Sequence, residues 1–185
     1  MKFLKLFIII FISLTSSIKA DLNKKIISQL KDGEKLIFIR HAYAPGNGDP
    51  NNFNLNDCST QRNLNVDGRK QSKYIGEFFR KNKIKIHKVL SSEWCRCKET
   101  ANIAFKNFST KSFLNSFYSS KFKKNKGKQI EELNNYVKKF KSNKNLVFVT
   151  HYVLISEVLN YGSSSGEIVV SDKNFNIIGT IETNF

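Results

Sequence analysis

The sequence predicts an α/β fold, a three-layer sandwich with a mainly parallel central sheet and helices on both faces. Three observations carry this expectation. Leu36–Ile39 and Asn145–Thr150 are largely apolar runs, the pattern of strands covered on both sides. Several segments between them repeat apolar residues at the three-and-four spacing of an amphipathic helix. Strands and helices alternate along the chain, the order that builds a parallel sheet.

Leu22, Ile26, Ile27 and Leu30 lie at helical spacing, and Asp32-Gly33 closes that helix. Leu36–Ile39 is the first strand. The Gly-, Pro- and Asn-rich stretch 42–63 is a loop of a length that is usually functional or mobile. N-V-D-G-R-K-Q-S-K-Y-I-G-E-F-F-R, residues 65–80, is a helix with Ile75, Phe78 and Phe79 inward. His87–Ser92 is a short strand, Glu93–Phe105 a helix, T-K-S-F-L (110–114) a strand and the Lys-rich stretch 119–128 a loop. Gln129–Lys141 is amphipathic, with Ile130, Leu133, Val137 and Phe140 on one face. After Asn145–Thr150 come a helix over Val153–Leu159 and two strands that meet at an Asp172-Lys173 turn.

A chain of 185 residues is long enough for one domain with a real core. Its 40% hydrophobic and 25% charged residues place it among globular rather than disordered proteins. M-K-F-L-K, an apolar core over Leu6–Leu14 and small residues up to Ala20 read as a secretory signal peptide. An uncleaved N-terminal anchor is the alternative. The domain then spans 21–185, in the periplasm or secreted, with no stable membrane span after cleavage. Without Lys2, Lys5 and Lys19 the net charge of +16 becomes +13, so the excess belongs to the domain. Such a surface steers anionic partners. No recognition helix or aromatic RNA-binding motif accompanies it, and nucleic acid is not expected as a partner. Export permits a disulfide, which would join Cys58 to Cys95 or Cys97 and leave one thiol spare. The three histidines, His41, His87 and His151, show no zinc-type spacing with these cysteines, and no metal or cofactor is expected.

The chemistry lies where strands stop. In open α/β sheets, sites form beyond the carboxyl ends of the strands. The first strand runs into Arg40-His41, the second into Ser91-Ser92 with Arg96 shortly after, and the third into Thr150-His151. Two arginines and two histidines at one spot repel one another unless an anion sits among them, and phosphate matches the guanidinium fork. A single boundary histidine is usually structural; three strand ends with the same chemistry are not easily accidental. His87 starts its strand and is assigned no role.

I-R-H-A, S-S-E-W-C-R-C-K-E-T-A, V-F-V-T-H-Y and L-N-V-D-G-R-K-Q-S occur in the order and spacing of the histidine phosphatase superfamily, and about residues 34–160 resemble it. The resemblance implies a phosphoglycerate mutase-like fold and phosphomonoester hydrolysis through phosphohistidine. His41 would be the nucleophile, with Arg40, Arg96 and His151 holding the phosphoryl group. Asn47 and Arg62 are candidate substrate contacts. D-C-S-T-Q-R-N-L is similar to a bacterial, often exported subgroup, which points to a small phosphorylated substrate such as an envelope phospho-sugar.

The chain departs from the family at the general acid. One branch uses a Glu well after the second Arg, where this chain has only Glu99; the other uses an acid directly after the second His, where it has Tyr152. Small members without this acid, such as the phosphohistidine phosphatases, are the closer likeness. Asp57, Glu93 and Glu167 are the candidate acids from other loops. Ala42 replaces the usual Gly and would be strained if its φ had to be positive. The competing readings are a sugar-phosphate mutase and a phosphate-binding pseudoenzyme without turnover.

Overall fold

The computed structural model describes residues 21–183, and the expected signal peptide lies outside them. The described part of the first helix, α1, covers residues 21–32. It is followed by β1 (Leu36–Arg40), α2 (Val66–Lys81), β2 (Ile86–Ser91), α3 (Cys95–Phe105) and β3 (Ser109–Thr110). Then come α4 (Ser120–Lys123), α5 (Lys126–Lys138), β4 (Asn145–Thr150), α6 (Tyr152–Leu159), β5 (Ile168–Ser171) and β6 (Ile177–Ile181). The sheet order is β3-β2-β4-β1-β5-β6. The first four strands of that order run parallel, and β5 and β6 are antiparallel to their neighbours.

Side chains alternate across each strand, so one strand feeds two cores. Ile37, Ile39, Val147 and Val149 face α1, α2 and α3 through Ile26, Leu30, Ile75, Phe79 and Ala101. Leu36, Phe38, Leu146 and Phe148 face α5 and α6 through Leu133, Val137, Leu154 and Ile155. Phe38 and Phe148 are fully buried, with ring centroids 4.9 Å apart across the β1–β4 pair. Gly76 lets α2 press against α3, since a Cβ there would run into the Ala104 carbonyl.

Two expectations are corrected. T-K-S-F-L is not a strand: only Ser109–Thr110 pairs with β2, and Ser112–Leu114 forms a 3-10 turn. Phe113 and Leu114 are consecutive and both buried in the same core, which the alternation of a strand forbids. The Lys-rich stretch 119–128 is not all loop, because α4 occupies Ser120–Lys123 and α5 begins at Lys126. Lysine is a good helix former, and Phe122 anchors α4 against Phe53 and Trp94. The Asp172 turn is present, with Asp172 accepting from the backbone N–H groups of Asn174 and Asn176.

Candidate active site

The parallel register brings three strand ends together. Arg40 lies opposite Thr150 and Ser91 opposite Val149, so the residues that follow, His41, Ser92 and His151, emerge on one edge of the sheet. Main-chain bonds continue past the strands: His41 N–H donates to Thr150 O and Ser92 N–H to Val149 O, each at 2.9 Å. A cavity of about 690 Å³ opens there, with Arg40, His41, Asp49, Arg62, Arg96 and His151 among its lining.

His41 and His151 are buried, with ring centroids 5.5 Å apart. His41 Nδ1 lies 2.8 Å from Ala42 O, an acceptor, so Nδ1 carries the proton and Nε2 the lone pair. Arg96 Nε–H points at that lone pair from 3.2 Å. Burial, then the neighbouring Arg96, pushes the His41 imidazole well below its ordinary value. It is therefore neutral near pH 7, with the Nε2 lone pair unprotonated. His151 is depressed in the same way by burial and Arg96.

His151 is oriented by a polar chain. Its Nε2 lies 2.9 Å from Ser92 Oγ, Ser92 Oγ donates to Asn115 Oδ1 at 3.0 Å, and Asn115 Nδ2 donates to Glu93 Oε2 at 2.6 Å. With Nε2–H given to Ser92, Nδ1 turns to Arg96 Nη2 at 3.5 Å. Cys97 Sγ also lies 3.5 Å from His151 Nε2. Burial pushes that thiol up to about 12, so it is an inert spacer rather than a nucleophile.

Arg40 crosses from β1 into the cavity, where Nη1 donates to Ser163 O at 2.7 Å and the guanidinium sits 5.4 Å over the Tyr152 ring. Its buried Nε has no hydrogen-bond partner. An unpaired donor of this kind is costly to bury, and a phosphoryl oxygen would satisfy it.

Asp49 was not anticipated from the sequence. Arg96 Nη1 donates to its Oδ1 at 2.6 Å and Nη2 to its Oδ2 at 3.2 Å, while Trp94 Nε1 donates to Oδ2 at 3.0 Å. These bonds outweigh burial and hold the carboxyl below its ordinary value. A signal was available: Asp49 is the sole acidic residue between Ala42 and Asn56. Nothing local said that it would meet Arg96.

The three carboxylates named from the sequence stand elsewhere. Asp57 caps the 3-10 turn Cys58–Thr60 through Ser59, exposed to solvent. Glu93 ends the polar chain behind His151. Glu167 accepts from Tyr161 Oη and Ser164 N–H, each at 2.7 Å, and shapes the turn before β5. None of the three lines the cavity. Asn47 does line it. Arg62 also lines it, but its Nε donates to Gly48 O at 2.7 Å and its Nη1 to Ala44 O, so it serves first to hold the 44–50 loop. His87 is exposed, 5.6 Å from the Phe140 ring.

The sequence motifs act mostly behind this surface. Cys58 pairs with Cys95 and leaves Cys97 free, which resolves the open pairing. Gln61 Oε1 accepts from Cys95 N–H at 2.9 Å and caps α3 one residue before Arg96. Thr100 Oγ1 accepts from Ala42 N–H at 3.1 Å and donates to Arg96 O at 2.8 Å, joining the segments that carry His41 and Arg96. Ala42 is buried and not among the residues at positive φ, so the feared strain is absent. Gly68 lets α2 approach Tyr43 O, and Gln71 takes Tyr43 N–H at 2.9 Å while donating to Ser165 O and Thr183 O. Among the described residues, no cluster of three or more His, Cys, Asp or Glu is placed to hold a metal ion.

The family model of the histidine phosphatase superfamily (branch 1) matches residues 36–134. The chain belongs to this superfamily. No curated protein matches it by sequence. Among solved structures it is similar to the protein histidine phosphatase SixA complexed with tungstate: TM-score 0.58, 14% identity, covering 80% of this chain and 97% of SixA. It is also similar to phosphoglycerate mutase from Thermus thermophilus, with TM-score 0.56, 15% identity and coverage of 81% and 99%. Rv3214 from Mycobacterium tuberculosis gives TM-score 0.55, 13% identity and coverage of 74% and 90%. At these identities the structures establish a common fold.

Proposed function

We propose that this histidine phosphatase superfamily member is an exported enzyme that hydrolyses phosphomonoesters through a phosphohistidine on His41. The observation that carries the reading is His41 itself: a buried, neutral imidazole whose Nε2 lone pair faces a cavity ringed by Arg40, Arg96 and His151. Nε2 attacks phosphorus in line, the ester bond breaks, and water then hydrolyses the phosphohistidine. The guanidiniums of Arg40 and Arg96 hold the equatorial oxygens as charge develops, and His151 completes the cradle. The cradle's like charges are relieved once a dianion enters, which raises both imidazoles and makes His151 a better donor. That SixA was obtained with tungstate, an oxyanion, agrees with this reading.

The N-terminal signal motif directs the protein to the periplasm or outside the cell. The Cys58–Cys95 disulfide and the lack, among the described residues, of a helix long and apolar enough to cross a membrane are compatible with that. The substrate is a small phosphorylated compound, with an envelope phospho-sugar as the class that export favours. Phe53 and Phe122, packed against the buried Trp94, line the cavity and give it an apolar wall beside the cations.

Turnover of p-nitrophenyl phosphate tests the reading. Wild-type protein should turn over and yield an acid-labile phosphoenzyme after rapid quenching, and His41→Ala should lose both. Phosphate binding without turnover by the wild type would identify a pseudoenzyme instead.

A further inference from the structure

An alkoxide leaving group needs a proton as its bond to phosphorus breaks, and the phosphatase reading assigns no residue to supply it. Among the described residues lining the cavity, Asp49 is the one that carries a carboxyl group. It is built in rather than displayed: its side chain is 15% exposed, against 3% for its partner Arg96. Trp94 Nε1 and Arg62 N–H, at 3.0 and 3.1 Å, fix the carboxyl from two further sides. Arg96 joins it to the nucleophile. One guanidinium meets His41 Nε2 through Nε at 3.2 Å and both Asp49 oxygens through Nη1 and Nη2. An in-line displacement places the leaving oxygen on the side of phosphorus away from His41. A phosphoryl group seated against Arg96 would thus lie between the attacking nitrogen and the carboxyl.

We propose that Asp49 donates the proton to the leaving oxygen and takes one back from the attacking water. This rests on the phosphatase reading. His41 Nε2 gives its lone pair to phosphorus while the P–O ester bond breaks, and the departing oxygen takes the Asp49 proton and leaves as an alcohol. Water then attacks phosphorus and passes a proton to the Asp49 carboxylate. The P–N bond breaks and its electron pair returns to Nε2. As phosphate leaves, Arg96 pairs with Asp49 again and the carboxyl releases its proton to solvent, which restores the starting state.

In the free protein Asp49 is ionised, held so by Arg96 and by the Trp94 and Arg62 donors. Arg40, His41, Tyr118, Lys121, His151 and Tyr152 are the other titratable or charged groups that share the cavity with this cluster. A phosphoryl dianion competes for Arg96 and sets a second negative charge beside the carboxylate. Both effects favour the protonated carboxyl, so the proton is taken up as substrate binds.

The test compares kcat/KM of wild type and Asp49→Asn on p-nitrophenyl phosphate and on ethyl phosphate. This ratio ends at ester cleavage and is blind to the later water step. The nitrophenolate leaves without a proton, so the loss on it reports only how far Arg96 depends on its Asp49 partner and should be the smaller of the two. On ethyl phosphate the variant should fall by about 10²–10³-fold, in the range general acids supply. Asp49→Glu, which keeps a carboxyl, should recover part of the ethyl phosphate activity. Titration with tungstate in two buffers of different ionisation enthalpy should show about one proton more taken up by wild type than by Asp49→Asn. Equal losses on both esters, or no loss, would show that Asp49 only positions Arg96 or is idle, and would overturn the proposal alone. Wild type inactive on both esters, with no phosphoenzyme, would overturn the phosphatase reading and the proposal with it.

Discussion

At the scale of single residues, the two buried imidazoles set a pH signature. Both His41 and His151 have folded-state values depressed by burial and by Arg96, whereas in the unfolded chain they return to about 6.5. Below about 6.5 the unfolded chain therefore binds more protons than the folded one, so stability falls with falling pH, by up to about 1.4 kcal/mol per pH unit for each imidazole. Above that value the contribution is complete. Asp49 acts in the same direction but only below its ordinary range, so the window from pH 6.5 to about 4.5 belongs to the histidines. Urea unfolding across that window should show the slope. His151→Asn should reduce it, and tungstate should flatten it, because a bound dianion favours the charged imidazole.

At the scale of elements, the segment 57–64 works as a strap. Asp57 caps its turn, Cys58 is bonded to Cys95, Gln61 caps α3, Arg62 holds the 44–50 loop, and Leu64 packs with Ala42 and Ala44. The strap presents Arg96 at the head of α3 and Asp49 opposite it. In the Cys58→Ser/Cys95→Ser double variant, stability should drop by about 2–4 kcal/mol, the usual loss for a native disulfide. Because Cys95 precedes Arg96, KM for p-nitrophenyl phosphate should rise together with that loss. Urea titration and steady-state kinetics read the two effects separately. An unchanged KM would mean that Gln61 and the Asp49 pair position Arg96 without the bridge.

At the scale of the whole molecule, charge and core do different work. The +16 formal charge, most of it outside the first twenty residues, surrounds a cavity whose charged side chains are cationic but for Asp49. Such a field concentrates anions, and salt screens it over a Debye length of about 8–10 Å near physiological strength. For a phosphomonoester dianion, kcat/KM should fall as sodium chloride rises from about 50 to about 500 mM, while kcat changes little. A salt-independent kcat/KM would place the surface charge outside catalysis. The core contributes a fixed platform instead: β1 and β4 are central strands buried on both faces, and the two histidines follow directly from them.

The sequence by itself determined what depends on local pattern. Short apolar runs set between helical patterns mark strands covered on both sides, and the arginines and histidines that end them mark where a parallel sheet exposes its strand ends. For the same reason His41, His151, Arg40 and Arg96 were legible as a group. The tertiary structure alone decided the rest. Cys58 met Cys95 rather than Cys97 because α3 turns the Cys97 side chain inward, against His151. Glu93, Asp57 and Glu167 were kept out of the cavity because each is bound into its own turn or relay. Asp49, unremarkable in a Gly- and Asn-rich loop, reached Arg96 across 47 positions of sequence. Periodicity reports which face of an element is buried. Which loop side chains meet depends on how the chain closes between elements, and no local pattern records that.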